Sequence, residues 1–315
     1  MLRSLYSGVS GMRGFQTKMD VIANNIANVN TIAYKSSRVS FQDMLSQTTA
    51  NASAPSGNGL GGINARQIGL GVKVGSIDMM MGGGALQPTN RNLDFGIENE
   101  GFFMVSSDVN VEDETIGVVN YTRDGAFFRD AEGNLVNASG QRVLGYGDGE
   151  AVEIDEDGNH DFEVDPADFD GTEINDFMTT IRIPETLNGE EGGPELQSYS
   201  IDTSGLITAV YTDEEGVATA YVLGQMGMAR FSNPEGLTKA GGNNYIDSNN
   251  SGQPQYGIAG SSGYGTINQG FLEMSNVDLA NEFTEMIVAS RAYSANSRSI
   301  TTSDEMLQEL INLKR

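Results

Sequence analysis

Over the first thirty residues, Leu5, Met12, Met19 and Ile26 recur every seven positions. Val9, Phe15, Ile22 and Val29 fill neighbouring positions of the same stripe, and Arg3, Arg13, Lys18 and Asp20 fall mostly off it. This spacing predicts a helix over 3–28 with one narrow apolar seam, which calls for a partner helix rather than a broad core. Asn24, Asn25 and Asn28 crowd its end. Three amides within about one turn are poor for helix propensity, so their expected role is hydrogen bonding to a packed helix or to the backbone that follows.

The last segment repeats the pattern. Leu279, Met286, Tyr293, Ile300 and Leu307 again recur every seven positions; Phe283 and Ile287 extend the stripe early, and Leu310 and Ile311 late. Ser275 or Asn276 reads as the N-cap, with Asp278 in the first turn. Ser290, Ser294 and Ser297 thin the apolar face. The partner expected for the first helix is therefore residues 276–313.

Between the two seams the pattern changes period. Residues 31–75 read as a linker region with extended segments: Phe41–Gln47 suggests a helical turn, 49–62 a small-residue linker, and Ile68 to Val74 alternates as a strand. Residues 76–147 and 196–269 read as strands and turns, with turns at Asn99–Gly101, Asp124–Gly125, Glu132–Asn134, Ser139–Gly140, Asp202–Gly205 and Asp213–Gly216. The Gly/Asn/Ser-rich stretch 241–265 reads as a second linker. The fold class is α+β: long terminal helices (1–30 with 276–315) paired as a coiled-coil-like stalk, and an all-β middle carrying an acidic insertion or small extra β subdomain at 148–195.

Charge sharpens this division. The chain has 18 Lys+Arg against 43 Asp+Glu, a net −25. Residues 1–50 carry five basic and two acidic residues and 270–315 carry four and seven, so the two ends cancel and the whole excess lies between them. Neutral ends suit close association. The acidic middle argues against nucleic acid or an anionic membrane as partner. No apolar run is long enough for a transmembrane helix, and Arg13 and Lys18 interrupt any secretory h-region.

Catalytic and metal readings fare poorly. The chain has no Cys and a single His, His160. Asp155, Asp157, Asn159, Asp161 and Glu163 alternate as calcium ligands do, but Gly158 and Pro166 stand where an EF-hand needs other residues. Asp165 and Asp168 lack the aromatic neighbours of a sugar cleft. Gly82–Gly84 lacks the Lys-Ser/Thr of a phosphate loop. No cofactor is expected.

Four stretches resemble a known family. SGVSGMRGFQTKMDVIANNIANVNTIAYK is similar to the N-terminal signature of bacterial flagellar rod and hook proteins, and FLEMSNVDLANEFTEMIVASRAYSANSRSITTSDEMLQELINL resembles their C-terminal signature. GGGALQPTNRNLDFGIENEGFF and FSNPEGLTKAGGNNY resemble parts of the family's β domain. Within the family, MLRSLYSGVSGM and SSRVSFQDMLSQT look most like the short hook proteins of Gram-positive bacteria, with the distal rod proteins the close alternative. The resemblance implies a non-enzymatic homopolymer, exported unfolded by the flagellar type III apparatus, whose termini form an inner helical tube beneath outer β domains. It also implies rod and hook–filament junction proteins as neighbours and a hook cap during growth. On this reading the two seams, Asn24, Asn25 and Asn28 are assembly residues.

Overall fold

The computed structural model describes residues 2–54, 61–110, 115–147, 152–154, 178–187, 193–213 and 216–313. Most of the acidic 148–195 stretch, including His160 and every candidate calcium ligand, lies outside them. The described chain forms two compact units, Met1–Val29 with Lys35–Met80 and Val277–Arg315, and Asn30–Tyr34 with Met81–Asn276.

The first unit is built on α1 (Leu2–Ala27) and α2 (Leu279–Leu313). Their spans follow the heptad patterns closely, but the cap of α2 differs from the expected Ser275 or Asn276. Asp278 Oδ1 accepts from the Ala280 and Asn281 amides at 2.9 and 3.4 Å, because it stands directly before the first helical residue. Region 31–75, read as a linker with extended segments, holds paired strands. Ser37–Asp43 pairs antiparallel with Val72–Met79, and Ser46–Ala50 with Arg66–Gly69. Phe41–Gln47 is thus extended, not a helical turn: Phe41–Asp43 pairs with Val72–Val74 and Ser46–Gln47 with Ile68–Gly69, contacts that no local pattern reveals. The resulting folded-back arm lies on α1, with the Phe15 and Phe41 rings 5.5 Å apart.

The second unit is β-rich, and its organising element is the long Ala218–Arg230 strand. Its first half pairs with Leu206–Thr212 and Val152–Glu153; its second half pairs with Phe102–Ser106 and Gln255–Ile258. The change of partners coincides with Gly224, at φ 149°, and with a register shift at Ile207/Thr208 opposite it. A glycine and a bulge let one strand bend between two sets of neighbours. Its Met226 and Met228 pack in one core with Phe95, Phe103, Phe127, Leu135 and Ile183. The expected turns at Asn99, Gly133, Gly140, Gly205 and Gly216 all have positive φ.

Residues 241–265 do not form a linker. Asn244–Ile246 and Gln255–Ile258 are sheet strands, and Tyr245 is 3 % exposed. The Gly and Asn residues serve the left-handed positions of tight turns, at Gly241, Gly242, Asn243, Gly252, Gly260 and Gly263. Burial pushes the Tyr245 hydroxyl up to about 12.

A buried ion pair ties this unit to its two ends. Arg123 donates from Nη1 to Glu273 Oε1 at 3.2 Å, from Nε to the Gly101 carbonyl at 3.0 Å and from Nη2 to the Asn99 carbonyl at 2.6 Å. Glu273 also accepts from the Gly84 amide at 2.7 Å. Its own carbonyl accepts from Ala33 at 2.8 Å, and the Tyr34 carbonyl accepts from the Asn276 amide at 3.3 Å. The segments 30–34 and 273–276 are thereby fastened to each other and to the sheet. Replacing Arg123 by Met leaves the buried Glu273 carboxylate without its cation, so R123M is expected to lose about 3–5 kcal/mol of stability, measured by urea unfolding followed by tyrosine fluorescence.

Candidate assembly interface

Within the first unit α1 and α2 run antiparallel and touch along a definite line. Ser4 Oγ lies 3.4 Å from Ser303 Oγ. A Cβ on Gly8 would stand 3.0 Å from Ile300 Cγ1, and one on Gly11 would stand 2.7 Å from Asn296 Nδ2. Farther along, Lys18 Nζ meets Glu285 at 2.6 Å, and Asn25 Nδ2 donates to Glu282 Oε1 at 3.0 Å. Positions 4, 8, 11, 18 and 25, with the buried Ile22 in the same register, keep the alternating three-and-four spacing of a helix-packing seam. Apart from Ile22, and Ile300 opposite Gly8, these contacts are made by small and polar residues. Ala289 and Ser303 answer the seam from α2, at 1 % and 3 % exposure.

The expected apolar seam is therefore rotated away from the contact line. Leu5, Met12, Met19 and Ile26 are half-buried on the flank of α1, roughly a quarter turn from it, whereas Ile22 is buried. On α2, Ile300 covers Gly8, and Met286 and Leu307 are half-buried. Leu279, Phe283 and Tyr293 are 40 %, 51 % and 37 % exposed. Ile287, also exposed, continues the row Leu279–Phe283 at helical spacing, and this row points away from α1. Hydrophobic periodicity identified the helices and overlooked the glycines. The available signal was Gly8, Gly11 and Gly14 at intervals of three, a set whose helix-propensity cost is offset only by close approach. Gly14 serves the arm, since a Cβ there would stand 2.9 Å from Phe41 Cε1.

The three amides divide their work. Asn25 is 1 % exposed. Besides Glu282 it bonds the backbone of Ser37 in both directions, donating to the carbonyl at 2.9 Å and accepting from the amide at 3.0 Å. One side chain thus joins α1, α2 and the start of the arm. Asn28 Nδ2 turns back to the Asn24 carbonyl and to Asn24 Oδ1, at 2.9 and 3.0 Å, closing the helix end. Burial raises the Glu282 carboxyl above the ordinary range, and Glu285 and Asp278 add to this, against the opposing pull of Asn25 and Lys18.

Two outcomes follow from this geometry. Truncating Asn25 to Ala strands the Ser37 amide and the Glu282 acceptor, so N25A is expected to cost about 1–3 kcal/mol and to speed proteolysis of the terminal helices. For Glu282, the raised folded-state pKa means that its protonation favours the folded form. That stabilisation is full below the ordinary glutamate pKa and is lost as pH rises through the raised value. E282Q keeps an acceptor for Asn25 without the charge. Helical melts of the E282Q chain should therefore be less pH-dependent between about pH 4 and 7 than those of the unaltered chain, and no less stable at neutral pH.

Comparison with known proteins supplies the context for this interface. Residues 5–35 match the family described as flagella basal body rod protein, residues 96–209 the flagellar hook protein FlgE/F/G D1 domain, and residues 268–313 the flagellar basal body rod FlgEFG protein C-terminal. The chain is 45% identical to the flagellar basal-body rod protein FlgG of Bacillus subtilis, over 316 positions and all of both chains. It is 35% identical to the flagellar basal-body rod protein FlgG of Borreliella burgdorferi and 31% identical to the flagellar hook protein FlgE of the same organism, again over all of each chain. The chain belongs to the bacterial flagellar hook and rod protein family, the axial structural subunits of the flagellum.

Proposed function

We propose that this chain is the subunit of the flagellar hook, a helical tube that bends while it transmits motor torque to the filament. The observation that carries a polymeric role is the set of large apolar side chains left in solvent on an already paired helix: Leu279, Phe283, Ile287, Leu310 and Ile311, each 40–67 % exposed. Covering the exposed half of each stabilises by about 1 kcal/mol, on the order of 5 kcal/mol per subunit, and only other copies repeat that surface regularly. In this reading the helical unit with its seams lines the tube and the β-rich unit lies outside. The acidic 148–195 stretch is added outer material. Subunits leave the cell unfolded through the flagellar type III export apparatus and add beneath a hook cap, between the rod and the hook–filament junction proteins. The role is structural, with no reaction catalysed.

The resemblance of the opening MLRSLYSGVSGM and of SSRVSFQDMLSQT to short hook proteins favours the hook. Methionines such as Met79 to Met81 suit contacts that slide as the tube bends, because Met repacks at low cost. A second reading, the distal rod, rests on a different observation. The relative 45% identical is called a rod protein and aligns over 316 positions, whereas the hook protein 31% identical needs 454.

Electron microscopy of basal bodies from a strain lacking this chain separates the two. The hook reading expects complete rods without hooks; shortened rods would establish the rod reading, and intact hooks with filaments would overturn both. A chain lacking residues 1–20 is expected not to form tubes in either case.

A further inference from the structure

The face of α1 turned away from α2 is not flat. Together with the arm it encloses a groove of about 550 Å³, within the size range of ligand and side-chain pockets. Its apolar wall comes from Tyr6 and Val9 on α1 and from Leu70 and Val72 on the arm. Three cations, Arg3, Arg13 and Lys73, stand around it. Tyr6 is 72 % exposed although it lines an apolar wall. In a chain with net −25, a groove with three positive charges and no carboxylate among its lining residues is distinctive.

The complement lies on the same unit. Past its Ser303 contact with α1, α2 exposes Met306, Leu310, Ile311 and Leu313, the last at 82 %. Asp304, Glu305 and Glu309 are interleaved with them, and no basic residue lies in the final helical turn. The helix dipole adds negative charge at that end. Lys314 and Arg315 follow, and segment 304–315 still carries one more acid than base. This end cannot enter its own groove. The helices are antiparallel, so beyond Ser303 α2 runs away from the Arg3–Thr17 face, and it is one continuous helix to Leu313.

We propose that the groove receives the last turns of α2 from a second copy of this chain, a head-to-tail contact that does not close on itself and so propagates. Apolar side chains 306–313 fill the groove, and Glu305 and Glu309 meet its Arg13 and Lys73 rim. This deepens the polymer reading above and rests on it.

The chain has no cysteine, which makes the test direct. Full-length L70C and L310C chains are mixed under tube-forming conditions, oxidised and run on a non-reducing gel. The proposal expects a covalent heterodimer that disappears when the mixture is diluted below the assembly concentration. Tubes without the heterodimer overturn the proposed contact and leave the polymer reading standing; failure of the unaltered chain to form tubes overturns the polymer reading. Charge reversal is the second arm. R13E/K73E and E305K/E309K should each raise the concentration needed for assembly severalfold, and the two combined in one chain should recover it. Absence of recovery, with each variant showing unaltered helical content, also overturns the contact.

Discussion

Close approach of the two terminal helices is the constraint on which the first unit depends. Gly8 and Gly11 remove the side chains that would hold α2 away, and Ile300 and Asn296 occupy the vacated space. A glycine within a helix costs roughly 0.5–1 kcal/mol relative to alanine, so two of them on one face are retained only if contact is gained. Close approach is also what allows short polar side chains to meet: Ser4 with Ser303, and Asn25 with Glu282. Because the inner seam is mostly small and polar, most large apolar residues of both helices, Ile22 and Ile300 excepted, are displaced to the flanks and outer faces. The large apolar surface left exposed on the pair is thus a consequence of how the pair itself is built.

The β-rich unit follows a different logic. Its core is conventional, apolar and centred on the Ala218–Arg230 strand, but its chain ends are secured by charge. Arg123 satisfies two backbone carbonyls and the Glu273 carboxylate at once, and Glu273 satisfies the Gly84 amide. An ion pair this deep offers little net stability over an apolar substitute, yet breaking it is costly. It therefore specifies where segments 30–34 and 273–276 attach, which an apolar contact would do less sharply.

Local features were the legible ones. Helix extents, and turns such as Asn99–Gly101 and Asp202–Gly205, could be read from the residues because their causes lie within a few positions: heptad spacing in the first case, left-handed glycine or asparagine in the second. The face of α1 that meets α2 was not legible from hydrophobicity, because Ser4, Gly8 and Gly11 make contact by being small. The arm was hidden for another reason. Ser37–Asp43 and Val72–Met79 carry weak alternation and are far apart in sequence, with the Ser46–Ala50 and Arg66–Gly69 strands between them. Stretch 241–265 has the composition of a linker, but its glycines are turn positions between sheet strands. The three amides could be read only as a group at the helix end; nothing local singled out Asn25 as the joint or Ser37 as its partner.

The uneven charge joins these parts. The first end carries a small positive excess and the last an equal negative one, so they cancel, and the whole net charge lies between them. Everything in the first unit rests on α1 and α2 of one chain pairing in the register set by Ser4 and Ser303. In a chain free of cysteine, S4C/S303C reports that register directly. Oxidation of the free chain and of assembled tubes is predicted to give a single cross-linked species of monomer mass on a denaturing gel. A ladder of covalent multimers, or thiols that remain unreacted, would contradict it.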